Sequence, residues 1–222
     1  MKISKRKKRI ISYIFVPVIM AVLGYGIIFV AARPVINLAS NVFNMVLSKT
    51  MPNFSSELES VYDENAKVQK DGIIKKSDIV FPGYEVRYGE LFCDRLNMDV
   101  KVFWGDTDRV FKEGAGQYIG SFLPGFGHMV LLGAHDSLYF EPLQDVKNGD
   151  VFVLKTNYGE FQYRVTETKI ADAKDSEVFF DNSDKEQLIL YTCYPFGALI
   201  GIKDQRFYVC AEKIAGPVIS EE

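Results

Sequence analysis

The sequence is poor in the residues that build disulfide frameworks and metal sites. It contains 222 residues but only three cysteines and two histidines. A disulfide-rich exported scaffold favours an even number of closely spaced cysteines, so at least one thiol is expected to stay outside any disulfide. A zinc site needs several cysteine or histidine ligands at short spacing, which this chain lacks. The acidic side chains could bind calcium weakly, but no spacing marks a site, and no cofactor is predicted.

Acidic residues are absent from the start of the chain and are in excess after it. Positions 1–33 contain seven basic residues and no carboxylate, whereas positions 34–222 contain 19 basic and 29 acidic residues, a net charge of −10. A protein that binds nucleic acid needs a basic surface for the phosphates. The acidic charge of positions 34–222 therefore excludes nucleic acid as an expected partner. The basic residues in positions 1–33 need another explanation.

Charged residues are also missing from the 23 positions between Ile10 and Ala32. A helix that rises about 1.5 Å per residue would make this stretch about 34 Å long, enough to span a bilayer. Basic residues remain on the cytoplasmic side, so Lys2–Arg9 predicts a single-pass protein of the cell membrane with its N terminus inside. A cleaved signal peptide is the alternative, because Val30–Ala32 offers small residues to a peptidase, although such peptides have apolar regions of only about 7–15 residues. Under either interpretation, the part of the chain after residue 33 is exported.

Composition divides the chain into four predicted parts. In order they are a cytoplasmic basic tail (1–9), a transmembrane helix (10–32), a juxtamembrane helix or stalk (33–71) and an extracytoplasmic domain (72–222). The last part consists of short β-rich runs separated by glycines, which is typical of a barrel or a sandwich. Alternation is clearest where the apolar Phe161, Tyr163 and Val165 interleave with polar residues, as in a strand with one buried face. The predicted fold class is therefore all-β.

One glycine-rich segment, Gly114–Gly120, is close to the dinucleotide-binding fingerprint. That fingerprint requires a helix directly after the glycines, and here the context is β-rich. We therefore interpret these glycines as turn residues and predict no nucleotide site.

The candidate nucleophile is Cys193, which follows the apolar run Leu188–Thr192 and precedes Tyr194–Gly197. At this position a buried strand opens into a loop, and a strand end holds a side chain rigidly at the rim of a fold. Cys210 lies in the middle of a predicted strand, and Cys93 lies in a short segment near the start of the domain. We expect both of these to be structural, because buried cysteine usually behaves as a small hydrophobic residue.

A histidine is the expected partner of this thiol. A cysteine with an ordinary pKa near 8.5 needs a base or a cation beside it to react well at neutral pH. His135 ends the apolar run Val130–Ala134, which is also a predicted strand terminus. His128 begins the same strand, which would hold the two imidazoles roughly 20 Å apart. Only one histidine can therefore serve Cys193, and we predict that it is His135.

Arg206 supplies a cation to the same group. It opens a predicted strand thirteen residues after Cys193. Strand parity places it on the face opposite the apolar Phe207 and Val209, and a returning hairpin would bring it beside the cysteine. The predicted site thus combines a histidine, a cysteine and an arginine at three strand ends.

These residues resemble the signature of a known family. The segment Leu188–Phe196, followed by Arg206–Val209, resembles the TLxTC and RxxV motifs of sortases, the Gram-positive transpeptidases that attach surface proteins to the cell wall. The stretch Gly120–Asp150 is similar to the region around the family's histidine. The resemblance covers about residues 79–214. Two departures are Tyr191, where the motif frequently has a smaller residue, and Ala134, where sortases commonly have glycine.

The resemblance implies an eight-stranded sortase-type β-barrel with short helices, and a specific role for each candidate. Cys193 would be the nucleophile, His135 the acid and base, and Arg206 the cation that positions the substrate and stabilises the oxyanion. The enzyme would cleave an LPxTG-like sorting signal through a thioacyl intermediate and transfer the surface protein to a peptidoglycan amine. The Cys-Tyr-Pro-Phe sequence and the lack of a second, C-terminal span are most similar to class D. The loops 171–185 and 194–205 would flank Cys193 and recognise the signal, and their many acidic residues are equally consistent with a solvated rim.

Two other functions remain open from the sequence. A membrane-tethered cysteine protease of another class would also need a cysteine and a histidine, although papain-like enzymes place the cysteine first in the chain. A non-catalytic β-rich module of the cell surface would simply bury its cysteine. Transfer of a peptide to an added amine would exclude the protease, and slow alkylation of Cys193 would favour the module.

Overall fold

The computed structural model describes residues 15, 17, 18, 20–25, 58–175, 185–197 and 203–220. The chain divides into two compact units, Met1–Pro52 and Asn53–Glu222. In the first unit, the described residues are helical. Across the described part of the chain, no helix combines the length and the apolar character needed to cross a bilayer. Most of the predicted span 10–32 lies outside the described residues.

The described part of the second unit contains ten β-strands. In chain order they are β1 (Ile73–Lys75), β2 (Arg87–Cys93), β3 (Met98–Trp104), β4 (Ala115–Gln117), β5 (Val130–Gly133), β6 (Val151–Thr156), β7 (Glu160–Asp172), β8 (Gln187–Tyr194), β9 (Gln205–Ala215) and β10 (Val218–Ser220). Short helical segments connect some of them: helix α1 (Asp108–Phe111) and 3₁₀ turns at Lys76–Asp78, Asp94–Leu96 and Glu141–Asp145.

Eight of these strands close into a barrel in the order β2-β3-β4-β5-β8-β9-β7-β6. Most neighbouring strands are antiparallel, whereas β3 with β4 and β5 with β8 are parallel. Strands β1 and β10 form a separate two-stranded parallel pair. The predicted all-β class and the eight-stranded barrel with short helices are confirmed.

The barrel forms because its strands alternate inward apolar side chains with outward polar ones. On β7, Phe161, Tyr163 and Val165 are buried while Arg164 between them is exposed, as the sequence pattern predicted. All eight barrel strands contribute to one continuous interior cluster. Each fully buried large apolar side chain in such a cluster contributes about 1.5–3 kcal/mol to the free energy of unfolding.

The interpretation of the glycine-rich segment as turn residues was wrong for its centre. Gly116 lies inside β4 and is buried. A Cβ atom at this position would come within 2.4 Å of the Gly105 carbonyl oxygen. Glycine is therefore needed here because the backbones at Gly116 and Gly105 approach closely. The spacing of glycines in a sequence does not distinguish such a close approach from a turn.

The chain enters the barrel along a strap, residues 58–71, that lies on the outside of the wall. The amide of Val61 donates to the Arg87 carbonyl (2.9 Å) and the amide of Arg87 donates to the Glu59 carbonyl (2.7 Å). The Arg87 guanidinium also lies over the ring of Tyr62, at 4.9 Å from its centroid. Further along the strap, the amide of Glu160 donates to the Gln69 carbonyl (2.9 Å), so the strap passes from β2 to the start of β7.

Candidate active site

Cys193 lies near the end of β8, on the outer face of the barrel. Strands β8 and β9 are antiparallel, and their register places Arg206 directly opposite Cys193. Directly opposed residues have Cβ atoms about 4.5–5.5 Å apart, so the thiol and the guanidinium leave the sheet side by side. Phe207 and Val209 pack with the barrel interior. Arg206 is thus on the opposite face, the one that strand parity indicates.

His135 reaches the same place from β5. This strand runs parallel to β8, with Gly133 opposite Tyr191. The alignment continues past the end of β5, because the amide of Ala134 donates to the Tyr191 carbonyl (3.3 Å). Continued for two residues past the last aligned pair, the same register would set His135 level with Cys193. We call His135, which lies beyond the end of β5, together with the opposed pair Cys193 and Arg206 the site row.

Thr192 ties the two strand ends together. Its side chain is buried, and its hydroxyl donates to the Ala134 carbonyl at 2.7 Å. This hydrogen bond joins β8 to β5 immediately before Cys193 and His135 leave the two strands. A threonine directly before the cysteine is therefore explained by the geometry that it maintains.

A second line of side chains on the same face is apolar. Leu131, Ile189 and Cys210 are aligned across β5, β8 and β9 by the same registers. Together with Tyr208 they form a buried cluster that is separate from the barrel interior. We call Leu131, Ile189 and Cys210 the apolar row. Cys193, by contrast, is only half-buried.

Cys93 is buried in the barrel interior. Burial raises the pKa of its thiol, and a thiol that stays protonated is a poor nucleophile. Cys93 and Cys210 are therefore both buried among apolar residues, as the sequence predicted.

Tyr191 and Tyr208 lie between the site row and the apolar row. Their ring centroids are 6.3 Å apart. The Tyr191 ring covers Gly133, where an added Cβ would lie 2.4 Å from Cζ of the ring. Glycine at position 133 thus makes room for the large residue that stands inside the TLxTC-like motif. Burial raises the pKa of Tyr191, so its phenol remains a hydrogen-bond donor beside the site.

His135 stands against Phe111, the last residue of α1. The two ring centroids are 5.5 Å apart in an edge-to-face arrangement. Helix α1 is capped by Thr107, whose hydroxyl oxygen accepts a hydrogen bond from the amide of Val110 at 3.3 Å. Burial lowers the pKa of His135 from its ordinary value, and the nearby Asp136 carboxylate partly opposes this shift. The imidazole is therefore neutral at pH 7 and can accept a proton.

Arg206 is held by one end of its guanidinium. Nη1 donates to the carbonyl oxygens of Lys203 (2.8 Å) and Gln205 (3.0 Å). Nε and Nη2 carry three further N–H donors in the same plane. A permanently charged planar group opposite the thiol can stabilise negative charge that develops on a substrate oxygen there.

The turn after the cysteine is supported by an aromatic cluster. The ring of Phe196 lies 6.2 Å from that of Tyr194 and 5.3 Å from that of Phe207, between centroids. Tyr194 and Phe207 stack at 6.5 Å. Because Phe207 also packs against the barrel interior, this cluster fixes the backbone that leaves Cys193.

The other histidine lies at the opposite end of β5. His128 is exposed, and its ring packs against Phe122 with 4.3 Å between centroids. It lines a cavity of about 190 Å³ together with Met129 and Gln187. Strand β5 therefore separates the two imidazoles, and His135 is the histidine that lies in the site row.

Two charged residues beside the site were not predicted from the sequence. Asp136 is buried and forms an ion pair with Lys203. Asp136 could have been found from the sequence, because it directly follows His135. Lys203 lies in a loop before β9, and nothing in the sequence pattern indicates which carboxylate it meets.

Other predicted features fall partly outside the described residues. Of the two loops expected to recognise the signal, positions 176–184 and 198–202 are not among the residues described. Within the described part of the chain, no group of three or more histidine, cysteine, aspartate or glutamate side chains is arranged to hold a metal ion.

Comparisons with known proteins identify one family. Residues 91–214 match the family model of the sortase domain. Sortase D of Bacillus subtilis (strain 168) is 29% identical over 126 residues, which cover 57% of this chain and 63% of that protein. Sortase A of Listeria monocytogenes is 30% identical over 108 residues, which cover 47% and 48% of the two chains. The chain thus spans less than two thirds of the length of either relative.

Solved structures share the fold. Sortase C from Clostridium perfringens SM101 is 26% identical with a TM-score of 0.54, covering 60% of this chain and 72% of that one. Sortase A from Listeria monocytogenes is 24% identical with a TM-score of 0.53, covering 61% and 92%. The matched family domain takes in more than half of the chain and includes the whole site row. The chain therefore belongs to the sortase family, whose members are cysteine transpeptidases.

Proposed function

We propose that this chain is a transpeptidase that cleaves an LPxTG-like sorting signal and joins the released surface protein to an amine of a peptidoglycan precursor. The observation that supports this most strongly is the site row. The β8–β9 register pairs Cys193 with Arg206, and the β5–β8 register, continued past the end of β5, supports a position for His135 on the other side of the thiol. A nucleophile, a proton-transfer group and an oxyanion-stabilising cation on adjacent strands are the groups that acyl transfer requires.

In the first half-reaction, the sulfur of Cys193 attacks the carbonyl carbon of the threonine in the signal. His135 is neutral, because burial lowers its pKa, and it accepts the thiol proton. Negative charge develops on the carbonyl oxygen, and the guanidinium of Arg206 stabilises it. The C–N bond then breaks, the imidazolium of His135 protonates the departing amine, and a thioester on Cys193 remains.

In the second half-reaction, an acceptor amine attacks the thioester carbonyl. His135 removes a proton from the attacking nitrogen, which makes the amine a better nucleophile. Arg206 again stabilises the oxyanion. The C–S bond breaks, the thiol of Cys193 is regenerated, and a new amide bond joins the surface protein to its acceptor.

We further propose that the chain is anchored in the cell membrane by residues 10–32, with the catalytic domain outside. Support comes from the 23 uncharged residues and the preceding basic cluster. Membership of class D is supported by the similarity to Sortase D of Bacillus subtilis and by the Cys-Tyr-Pro-Phe sequence from Cys193 onward.

A ligation assay tests the proposed reaction. The full-length chain is incubated with a peptide that contains an internal Leu-Pro-Glu-Thr-Gly sequence, in the presence and absence of triglycine. We expect a product with triglycine joined to the threonine, measured by liquid chromatography and mass spectrometry. Without triglycine, only slow hydrolysis is expected. Cleavage at an equal rate with no ligated product would instead indicate a protease.

A panel of related peptides sharpens the substrate assignment. Each varies one position of the Leu-Pro-Glu-Thr-Gly sequence, and a scrambled sequence serves as the control. We expect cleavage between the fourth and fifth positions of the motif. Equal cleavage of the scrambled peptide would contradict recognition of a sorting signal.

A further inference from the structure

A largely buried ion pair lies next to the site row. The carboxylate of Asp136 accepts a hydrogen bond from Nζ of Lys203. The side chain of Asp136 is only 8% exposed and that of Lys203 only 20%. Charged side chains are rarely buried to this extent unless they are paired, and breaking such a pair leaves an uncompensated charge. The ion pair therefore joins the two loops that contribute these residues.

The pair connects two members of the site row. Asp136 is the residue after His135, in the loop that follows β5. Lys203 precedes β9, and its carbonyl oxygen accepts the hydrogen bond from Nη1 of Arg206 at 2.8 Å. One set of contacts thus runs from the peptide that carries His135, through the ion pair, to the guanidinium of Arg206.

We propose that Asp136 and Lys203 are positioning residues, whose ion pair holds His135 and Arg206 at a fixed spacing on either side of Cys193. This inference rests on the roles proposed above for His135 and Arg206. Their strands do not pair with each other, because β8 lies between β5 and β9. The ion pair links the residue after His135 to the residue whose carbonyl oxygen holds Arg206.

Charge effects and positioning effects can be separated, because the two partners act on His135 with opposite sign. Four charged groups act on this imidazole: Asp136 and Asp108 raise its pKa, whereas Lys112 and Lys203 lower it. Removal of the Asp136 charge should therefore lower the pKa of His135, and removal of the Lys203 charge should raise it. If the pair acts by positioning, both changes reduce activity although the pKa moves in opposite directions.

The test compares four variants of the full-length chain: Asp136→Asn, Lys203→Met, their combination, and Lys203→Arg. Activity is measured with a peptide that contains Leu-Pro-Glu-Thr-Gly and with triglycine as acceptor. Asp136→Asn and Lys203→Met are each expected to lower kcat/KM at least tenfold, mainly through kcat, because a small misplacement of reacting groups is costly. The double variant should be no worse than the worse single variant, because both changes break the same link. Lys203→Arg should retain most of the activity.

The pKa of His135 is followed in the same variants by NMR, which is practical because the chain has only two histidines. We expect a decrease in Asp136→Asn and an increase in Lys203→Met. Opposite shifts with losses of activity in the same direction would show that the losses do not follow the pKa of His135, and retained activity in Lys203→Arg would separate loss of the ion pair from general destabilisation.

A matched control is the ion pair between Arg95 and Asp150, whose carboxylate side chain is 6% exposed. Asp150→Asn should reduce thermal stability and leave kcat/KM unchanged at temperatures where the chain is folded. Circular dichroism checks folding throughout. If Asp136→Asn fails to fold, the comparison of Lys203→Met with Lys203→Arg decides the question.

Three results would overturn the positioning role. These are unchanged kcat/KM in both single variants, opposite changes in kcat/KM, and losses that multiply in the double variant. The proposed function fails in a different way, because it requires that Cys193→Ala removes all turnover. An inactive Cys193→Ala variant beside fully active Asp136→Asn and Lys203→Met variants would reject the positioning role alone.

Discussion

The apolar row and the site row occupy the same face of the same three strands, and each contains a cysteine. In the apolar row, Cys210 lies opposite Ile189 in the middle of the β8–β9 ladder. In the site row, Cys193 lies opposite Arg206 near the end of that ladder. Both thiols leave the sheet in the same direction, but Cys210 is buried among apolar residues and Cys193 is half-buried.

The difference arises from the residues that surround each row. A residue in the middle of a sheet is surrounded by other strand residues, and here those are apolar. A residue at the end of a strand also meets the loops, which bring His135 after β5 and Lys203 before β9. The same residue type is therefore a small hydrophobic group in one row and a candidate nucleophile in the other.

The largest effect is expected when the two cysteines are changed separately. Cys193→Ala removes the thiol that attacks the signal in the proposed reaction, so turnover should fall below detection. Cys210→Ala should keep kcat/KM near the wild-type value and lower the free energy of unfolding by about 1–2 kcal/mol, because it trims a buried side chain. Peptide cleavage and urea unfolding measure the two effects. Turnover by Cys193→Ala would contradict the account.

The two histidines offer the next comparison, because each lies beyond one end of β5. His135→Ala should reduce kcat/KM by about 10²–10⁴-fold, the usual contribution of a general acid and base. His128→Ala should be nearly silent, because the exposed imidazole packs only at the rim, against Phe122. Steady-state kinetics of both variants decides this. A silent His135→Ala with an inactive His128→Ala would show that the wrong end of β5 was chosen.

A third prediction concerns the shape of the cation in the site row. Arg206→Lys keeps the charge but loses the planar donors, so kcat/KM should fall by about 10²-fold, as when an oxyanion donor is removed. The matched control is Arg164→Lys on the exposed side of β7, which should leave kcat/KM unchanged. A fully active Arg206→Lys variant would mean that charge alone is sufficient.

The residues between the two rows allow a smaller test. Gly133→Ala places a methyl group where the Tyr191 ring now lies, at 2.4 Å from Cζ. The ring must shift toward a neighbouring row, so we expect a several-fold loss of kcat/KM and a loss of about 1–3 kcal/mol in the free energy of unfolding. In a Tyr191→Ala background the same change should cost almost nothing. Equal costs in both backgrounds would contradict the contact.

The smallest effect is a pH dependence of stability that comes from His135. Burial lowers the pKa of this residue in the folded state, so the unfolded chain binds the proton more readily. Its contribution to stability is complete above the ordinary histidine pKa and decreases as the pH falls toward the lowered folded value. Urea unfolding between pH 7.5 and pH 5 should therefore show a shallower loss of stability in His135→Gln than in the wild type. Parallel curves would contradict the burial of a neutral imidazole.

Much of the fold was predictable because hydrophobic alternation is strong on the long strands. The run Glu160–Ile170 predicts most of β7, and Gln187–Thr192 predicts most of β8. Strand β4 was missed because its three residues lie among glycines, which mark turns and close strand contacts alike. Strand β2 contains Gly89 within its ladder, and glycine weakens the alternating pattern in the same way.

The candidate site was predictable to the extent that strand ends can be located in a sequence. Periodicity indicates where β5, β8 and β9 stop or start, and so places His135, Cys193 and Arg206 at strand ends. It does not show that β5 and β8 are parallel neighbours, which depends on the closure of the barrel. The partnership of Asp136 with Lys203 has the same origin, because the two residues are 67 positions apart.

The proposed reaction requires that Cys193, and not the thiol of the apolar row, forms the acyl enzyme. The most direct measurement is intact-mass spectrometry of the full-length chain after acid quenching during turnover of a Leu-Pro-Glu-Thr-Gly peptide without added amine, followed by digestion to locate the modification. We predict one added acyl group, linked as a thioester to Cys193 and absent in Cys193→Ala. Peptide cleavage with an acyl group on Cys210, or with an adduct that persists in Cys193→Ala, would contradict the account.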